Sequence, residues 1–425
     1  MPSVSIRRSR WPGATPDLEP SQGAVGYANV GAMRPVAPPS PRNQRPGMQY
    51  RRFGRTNLPL SVITLGGMRY IDGWASPPDQ LPAAMVEQCA SMVRLALDAG
   101  INHIETAKGY GKSEHCYGRV LSELGVPRDS YYFMTKGAPE TAEDTHRQLE
   151  AQLEALRMDH IDLYAWHGIN TPRRYAAALA KGGPVEVLKR YQEQGVIGSI
   201  GFSTHGSVRI ITDAIATDLF DFVNLHYYYF WQRNWGAVLQ AAARDMGVFI
   251  ISPNDKGGQL FNPSAELSEL TAPLTPVQYN ARFCLKTPHV HTLSFGMTEP
   301  AHVQEMLGAF PISMPASDAD LAIERRLNAR VDALSSYDGY ELEGDPSGIN
   351  IPEVLRFRRM LECFGMRDFG RYRYNMFQPD SEWFWGEFAT EENLARVDRA
   401  RLPPGVPVIE MLRETHRKLF VPKAS

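Results

Sequence analysis

Four side chains with complementary chemistry lie between positions 105 and 167: Glu105, Tyr110, Lys136 and His167. A free phenol titrates at pH ~10, so Tyr110 alone would be a reluctant proton donor at neutral pH. A neighbouring ammonium group favours the phenolate and lowers the pKa of the phenol, and a carboxylate can hold that ammonium group in place. An imidazole can hydrogen-bond a substrate carbonyl oxygen. The set is therefore suited to protonating an oxygen atom while another group delivers a hydride.

Each of these residues lies at or just after the end of a short apolar segment. Lys136 ends the strand-like run 131–136, and His167 ends the run 161–167. Helical patterns alternate with these runs, and this alternation predicts a parallel sheet. In a closed (β/α)8 barrel the C-terminal strand ends converge on one face, where such barrels carry out their chemistry. The order of elements therefore predicts that the four side chains meet.

The remaining pattern is consistent with such a barrel. Segments 50–54 and 58–62 are typical of a hairpin, and the first barrel strand is predicted over 62–65. Helices are predicted from Ala83 to Asp98, from Thr141 onward and from Pro184 onward. Further strands are predicted over 197–201, 222–225, 248–251 and 290–294. The predicted fold class is α/β: a (β/α)8 TIM barrel with an N-terminal hairpin and a small C-terminal α-helical domain.

The segment 105–114 reads ETAKGYGKSE in one-letter code. It resembles the motif DTAxxYGxSE of the aldo/keto reductases, which is followed by one strand ending in Lys and another ending in His. Here these strands end in Lys136 and His167, and the resemblance covers roughly residues 48–310. Glu105 stands where most members have Asp, but a carboxylate with one more methylene still reaches Lys136.

The resemblance implies a catalytic role for each of the four residues. Tyr110 would donate a proton to the carbonyl oxygen, Lys136 and Glu105 would tune the donor, and His167 would orient the substrate. The reaction would be NAD(P)H-dependent reduction of an aldehyde or ketone to an alcohol. Five other histidines are predicted to be packing or surface residues, namely His103, His115, His226, His289 and His291.

The predicted cofactor site also rests on the resemblance. No GxGxxG turn follows a strand, which argues against a Rossmann nucleotide domain. Ser203-Thr204 stands where the family has Ser-Asn, and Asn224 stands where it has Gln, to hold the nicotinamide amide. Segment 251–253 matches the one that contacts the ring and the pyrophosphate. The predicted cofactor-binding residues are Met68, Ser203, Thr204, Asn224, Ser252, Pro253, Gly296 and Met297.

The choice between NADP(H) and NAD(H) is less constrained. Recognition of a 2′-phosphate needs cations, most often Arg or Lys. The corresponding segment, 296–305, holds neither. The resemblance implies NADP(H), and this composition leaves NAD(H) as an alternative.

Residues 329–425 resemble the ferredoxin-like domain fused to one subgroup of the family. The positions expected for cluster-binding cysteines hold Ser336, Gly339, Leu342 and Asp345. An iron–sulfur cluster needs about four thiolates. We therefore expect a helical domain without iron–sulfur ligands or another metal site. The aromatic segment 383–385 is predicted to pack within this domain or against the barrel.

Composition narrows the function classes. The 425 residues have a net charge of −2 and a pI near 6.6, which gives no electrostatic case for nucleic-acid binding. No apolar run approaches the ~18 residues of a membrane helix. The four cysteines are isolated, which argues against a disulfide framework and against zinc. The predicted location is the cytoplasm, and the predicted partner is a small carbonyl substrate.

The chain is predicted to have three parts: a disordered Pro-rich segment 1–47, the barrel 48–328 and the helical domain 329–425. Arginines beside serines near the N-terminus leave organelle targeting as an alternative for the first part. A non-catalytic nicotinamide-binding regulatory or scaffold protein is the alternative function. An electron-transfer role for the C-terminal domain is disfavoured by the missing cysteines. The loops that would select the substrate carry no recognisable chemistry, and the sequence predicts no oligomeric state.

Overall fold

A computed structural model describes residues 40–70, 76–334 and 336–422. The strands are β1 (Tyr50–Arg52), β2 (Pro59–Ser61), β3 (Ile63–Gly66), β4 (His103–Glu105), β5 (Tyr132–Gly137), β6 (Ile161–His167), β7 (Ile197–Ser203), β8 (Phe222–Leu225), β9 (Gly247–Ile250) and β10 (Thr292–Phe295). The helices are α1 (Ala83–Asp98), α2 (Ser113–Glu123), α3 (Ala142–Leu156), α4 (Pro172–Ala178), α5 (Pro184–Glu193), α6 (Val208–Ala216), α7 (Trp235–Ala243), α8 (Ala265–Thr271), α9 (Pro276–Leu285), α10 (Pro300–Leu307), α11 (Asp318–Ala333), α12 (Ile351–Phe364), α13 (Arg367–Tyr374), α14 (Glu391–Ala395) and α15 (Val408–Leu419).

Strands β3 to β10 form a closed parallel barrel in the order β10-β3-β4-β5-β6-β7-β8-β9. The barrel closes where Ile63 of β3 pairs with Leu293 of β10. Parallel pairing places all eight C-terminal ends on one face, and Glu105 and His167 are the last residues of their strands. The predicted (β/α)8 fold is confirmed.

The opposite face is closed by the hairpin of β1 and β2, whose strands pair antiparallel. Phe53, at the hairpin turn, is fully buried and packs against Phe222 with ring centroids 5.5 Å apart. A Cβ at Gly247 would lie only 2.7 Å from the Phe53 ring, so glycine is needed for this close approach. The barrel interior contains a buried apolar cluster that includes Met134 and Leu163. Barrels of this kind carry their sites at the C-terminal ends of the strands.

The N-terminal segment predicted to be disordered, 1–47, is described from residue 40 onward, and its first 39 residues lie outside the described part. Arg42 donates hydrogen bonds to the Tyr131 carbonyl at 2.6 Å and to Asp162 at 3.1 Å. Asn43 donates to the Leu97 carbonyl at 2.6 Å. Arg42 and Asn43 thus bind the lower rim of the barrel, and the predicted bounds of this first part of the chain stay a prediction.

The C-terminal region is helical, as its amphipathic pattern predicts. Helix α12 buries Val354, Leu355 and Phe357 almost completely. Phe364 meets Phe230 of the barrel with ring centroids 5.5 Å apart. The described residues between 40 and 422 form one compact unit, and the predicted domain boundary at 328 falls inside α11.

Two findings concern the described residues as a whole. In ranges 40–70, 76–334 and 336–422, no helix has the length and hydropathy to cross a membrane. Within the same ranges, no group of three or more His, Cys, Asp or Glu residues is arranged to hold a metal ion. All four cysteines are buried as free thiols.

Candidate active site

A cavity of about 940 Å³ opens at the C-terminal ends of the barrel strands. Glu105, Tyr110 and His167 line it, and Lys136 lies directly beneath them. The structure thus brings together all four side chains singled out from the sequence. They come from β4, the loop after it, β5 and β6, whose parallel register aligns their ends.

Glu105 and Lys136 form a buried ion pair at the cavity floor. Their side chains are 3% and 1% exposed, so neither charge is hydrated. Lys136 also donates to the Thr106 carbonyl at 2.8 Å, and Ser294 donates to the second Glu105 oxygen at 3.0 Å. Burial, with a smaller contribution from Lys256, lowers the pKa of Lys136 well below its usual value. The ion pair with Glu105 acts in the opposite direction, since a neighbouring carboxylate favours the ammonium form.

The Tyr110 hydroxyl lies between these two charges. It is 3.2 Å from Lys136 Nζ and 3.3 Å from Glu105 Oε1. The sequence predicts that the ammonium group lowers the pKa of the phenol, but in the structure burial raises the pKa of Tyr110. Burial removes the phenol from water and so disfavours the charged phenolate, while Glu105 already balances the charge of Lys136. At neutral pH Tyr110 therefore keeps its proton.

His167 stands beside Tyr110, with ring centroids 5.7 Å apart. Burial, with smaller contributions from Lys136 and Arg174, lowers the pKa of His167 well below its usual value. The imidazole is thus neutral at pH 7, with one donor and one acceptor nitrogen. Among the described residues its ring nitrogens have no hydrogen-bond partner, so the cavity side is available to a ligand.

A buried polar network holds the end of β5, which carries Lys136. Glu114 accepts hydrogen bonds from the Thr135 hydroxyl at 2.5 Å and from the Gln152 amide at 2.6 Å. Gln152 also donates to the Lys136 carbonyl at 3.1 Å and accepts from Tyr164 at 2.9 Å. Burial raises the pKa of Glu114 to about 7. Glu114 was visible in the sequence motif, whereas Gln152 and Tyr164 carried no comparable signal.

Three of the eight predicted cofactor residues line the cavity: Met68, Ser252 and Gly296. The hydroxyls of two others are used within the protein. Ser203 Oγ accepts from the Gly168 amide at 3.0 Å, and Thr204 donates to the Ile169 carbonyl at 2.7 Å.

The last three predicted cofactor residues lie below the cavity surface. Asn224 is fully buried, with its amide nitrogen 3.2 Å from Met134 Sδ. Its Oδ1 finds no hydrogen-bond donor among the described residues. The Pro253 carbonyl accepts from Asn280 at 2.6 Å, and Met297 is fully buried.

The structure adds cations to the cavity that sequence reasoning did not place there: Arg69, Lys108 and Lys256. Arg69 lies beside the predicted cofactor segment, with Nε 3.4 Å from the Gly296 carbonyl. Lys256 Nζ is 3.3 Å from His205 Nε2, and burial lowers the pKa of this lysine to about 7. Within the described part of the chain, none of the three has a carboxylate within ion-pairing distance, so they give the cavity a positive character.

The C-terminal region supplies one wall of the cavity. Its lining residues are Tyr372, Met376, Trp383 and Phe384. The Trp383 ring lies 5.0 Å from the His167 ring, centroid to centroid. Segment 383–385 therefore does more than pack between domains, because Trp383 and Phe384 lie in the site itself.

Known proteins share this barrel and its motif. Residues 62–257 match the model of the aldo/keto reductase family. This segment is therefore similar to an aldo/keto reductase domain. The chain is 36% identical over 140 residues to an aldo-keto reductase from Mycolicibacterium smegmatis, a match covering 32% of this chain and 44% of that protein. It is 28% identical over 234 residues to an aldo-keto reductase from Mycolicibacterium vanbaalenii, covering 53% and 78%.

A third relative carries a more specific name. Over 144 residues the chain is 29% identical to methylglyoxal reductase DkgA of Escherichia coli, covering 33% of this chain and 50% of that protein. The chain thus spans half or less of the length of the Mycolicibacterium smegmatis and Escherichia coli relatives.

Solved aldo-keto reductases share the fold at low identity. The holo form of an enzyme from Bacillus halodurans superposes with a TM-score of 0.54 at 18% identity, covering 66% of this chain and 96% of that one. An aldo-keto reductase from Klebsiella pneumoniae in complex with NADPH superposes with a TM-score of 0.52 at 20% identity, covering 65% of this chain and 94% of that one. These likenesses show the barrel fold.

Proposed function

We propose that the protein is an NAD(P)H-dependent carbonyl reductase in which Tyr110 protonates the carbonyl oxygen of an aldehyde or ketone. The observation that carries the proposal is the position of the Tyr110 hydroxyl. It lies within 3.3 Å of both members of a buried ion pair, at the edge of a cavity shared with a neutral histidine. Relatives of this domain are named as reductases, and this supports the same class of reaction.

The proposed chemistry uses each side chain in one role. A bound nicotinamide would supply the hydride for the carbonyl carbon. The N–H of neutral His167 would donate to the carbonyl oxygen and hold it near Tyr110. As negative charge develops on that oxygen, it becomes far more basic than a phenolate, and the Tyr110 proton moves to it despite the raised pKa. The phenolate left behind is stabilised by Lys136 at 3.2 Å.

The charges of the cavity fit a dinucleotide. Arg69 and Lys256 line it together with Ser252 and Gly296, so positive charge lies beside residues that we propose to hold the cofactor. Arg69 adjoins Gly296 and supplies a positive charge that segment 296–305 itself lacks. The positive charge of Arg69 favours NADP(H), which carries an additional phosphate, over NAD(H). The NADPH complex of the Klebsiella pneumoniae protein supports the same preference.

Steady-state oxidation of NADPH and of NADH with a panel of aldehydes and ketones tests the proposal. We expect Tyr110→Phe to lower kcat by ~10²- to 10⁴-fold, the usual cost of losing a general acid. The dissociation constant for NADPH, measured by fluorescence, should stay close to the wild-type value because the ring is kept. Tyr372→Phe is the matched control, since it removes another phenol that lines the cavity.

Two outcomes would contradict the proposal. Near-wild-type turnover of Tyr110→Phe would exclude Tyr110 as the acid. Tight binding of NADPH by the unmodified protein without turnover of any carbonyl compound would instead indicate the non-catalytic scaffold alternative.

A further inference from the structure

Trp383 lies in a loop between α13 and α14 and reaches across to the active-site histidine. Its ring centroid is 5.0 Å from that of His167 and 5.0 Å from that of His205, and both contacts are edge-on. Tyr110 meets His167 in the same edge-on manner at 5.7 Å. The indole therefore continues an aromatic surface that begins at the proposed proton donor.

Polar contacts of the preceding residue, Glu382, hold this loop on the barrel. Its carboxylate pairs with Arg174 at 2.9 Å and with Arg173 at 2.8 Å, and its carbonyl accepts from Asn170 at 2.9 Å. Arg174 also donates to the carbonyls of His167 and Gly168, at 2.5 Å and 2.6 Å. One buried guanidinium group thus ties the loop to the main chain of the active-site histidine.

The barrel has space for the indole only because residue 168 is glycine. A Cβ there would lie 2.6 Å from Cη2 of Trp383, closer than any real contact. Gly168 also has φ = +86°, a conformation that other residues rarely adopt. The end of β6 is therefore shaped to receive Trp383.

Trp383 gives the part of the cavity beside His167 an apolar wall, and we call this part the slot. Phe384 and Met376 extend this wall on the C-terminal side. Tyr110 and the ring nitrogens of His167 provide the polar end. A flat apolar group can lie against the indole while its carbonyl oxygen points toward Tyr110, and aromatic faces and edges attract one another in such contacts.

We propose that Trp383 is a specificity-determining residue, and that the preferred substrates are aldehydes or ketones whose carbonyl group is attached to a planar aromatic or conjugated group. This deepens the proposed carbonyl reduction and rests on it for turnover. The selectivity lies in a contact of the C-terminal region, so this region takes part in substrate recognition as well as packing.

Two aldehydes of nearly equal size test the proposal: benzaldehyde, which is flat, and cyclohexanecarbaldehyde, which is puckered. We expect the unmodified protein to have the higher kcat/KM for benzaldehyde. Trp383→Ala should lower kcat/KM for benzaldehyde about tenfold, equivalent to ~1.4 kcal/mol, mainly through KM. The kcat/KM for cyclohexanecarbaldehyde should change by about twofold or less. For benzaldehyde, the kcat/KM of Trp383→Phe should lie between those of the unmodified protein and Trp383→Ala.

Trp385→Ala is the matched control, since Trp385 lies in the same loop but is 39% exposed and does not line this cavity. This substitution should leave the kcat/KM for both aldehydes unchanged. If Trp383→Ala lowered kcat/KM equally for both aldehydes, or did not lower it for benzaldehyde, the assignment would be overturned.

Binding of the two corresponding alcohols, measured by NMR, separates this inference from the proposed reaction. Binding of benzyl alcohol that weakens in Trp383→Ala, in a protein that reduces no carbonyl compound, would support the slot and refute the reductase. Reduction of both aldehydes with no preference, or binding of neither alcohol, would refute the slot.

Discussion

Glu114 offers a quantitative test of how the site is held together. This carboxyl group lies beneath the end of β5, is 7% exposed, and receives hydrogen bonds from Thr135 and Gln152. Burial raises the pKa of Glu114 from 4.5 in the unfolded chain to about 7. In the variant Glu114→Gln, an amide oxygen can accept the same two hydrogen bonds without a charge that must be buried.

The free energy of unfolding depends on pH through the proton that Glu114 binds. Between pH 4.5 and 7 the folded protein binds a proton at Glu114 that the unfolded chain has released. The stabilisation from this proton is complete below pH 4.5 and is lost as the pH rises through 7. For these two pKa values, the free energy of unfolding should fall by roughly 2–3 kcal/mol between pH 5 and pH 8 from this group alone.

Urea unfolding of both proteins at pH 5, 6, 7 and 8 measures this contribution. Other groups titrate equally in the two proteins, so the difference between their free energies of unfolding isolates Glu114. Glu123→Gln is the control, because it removes an exposed carboxylate at the other end of α2. A difference between wild type and Glu114→Gln that does not vary with pH would refute the reasoning, since it would mean that Glu114 titrates alike in both states.

The remaining predictions concern the ion pair and the C-terminal region. Glu105→Gln should slow turnover and lower the free energy of unfolding by about 3–5 kcal/mol, because it leaves Lys136 buried without its partner. Glu105→Asp should have a milder effect, and wild-type kcat in Glu105→Gln would contradict this view. Deletion after Ala329 cuts α11 and should lower the melting temperature and solubility. We also expect no stoichiometric iron or sulfide in anaerobically purified full-length protein; their presence, or a deletion variant as stable as the whole chain, would contradict the view of a clusterless structural region.

The barrel and the convergence of Glu105, Tyr110, Lys136 and His167 could be predicted because both depend on local patterns. Buried parallel strands give short apolar runs, and their C-terminal ends can be read directly from the chain. Once the strands are parallel and closed, residues at those ends must meet. No contact between distant surfaces was needed for this step.

The state of the proton donor could not be predicted in the same way. A pKa depends on how completely a group is dehydrated, and residue types alone do not give this. The sequence identified the ammonium group beside Tyr110 but not the burial that raises the pKa of Tyr110. The cations Arg69 and Lys256 were missed for a similar reason, since both lie outside the barrel strands, in connecting segments whose path is set by tertiary contacts.

The C-terminal region shows where sequence patterns stop being sufficient. Its helices were predictable from their apolar faces, as in α12, yet the role of Trp383 depends on how that region docks. Docking is specified by scattered pairs, such as the carboxylate of Asp255 with Arg356 and Arg373, and Glu382 with Arg174. These pairs join residues 100 or more positions apart, and no local periodicity marks them. Because they fix an aromatic ring over His167, the specificity of the site is encoded jointly by the barrel and by the region that follows it.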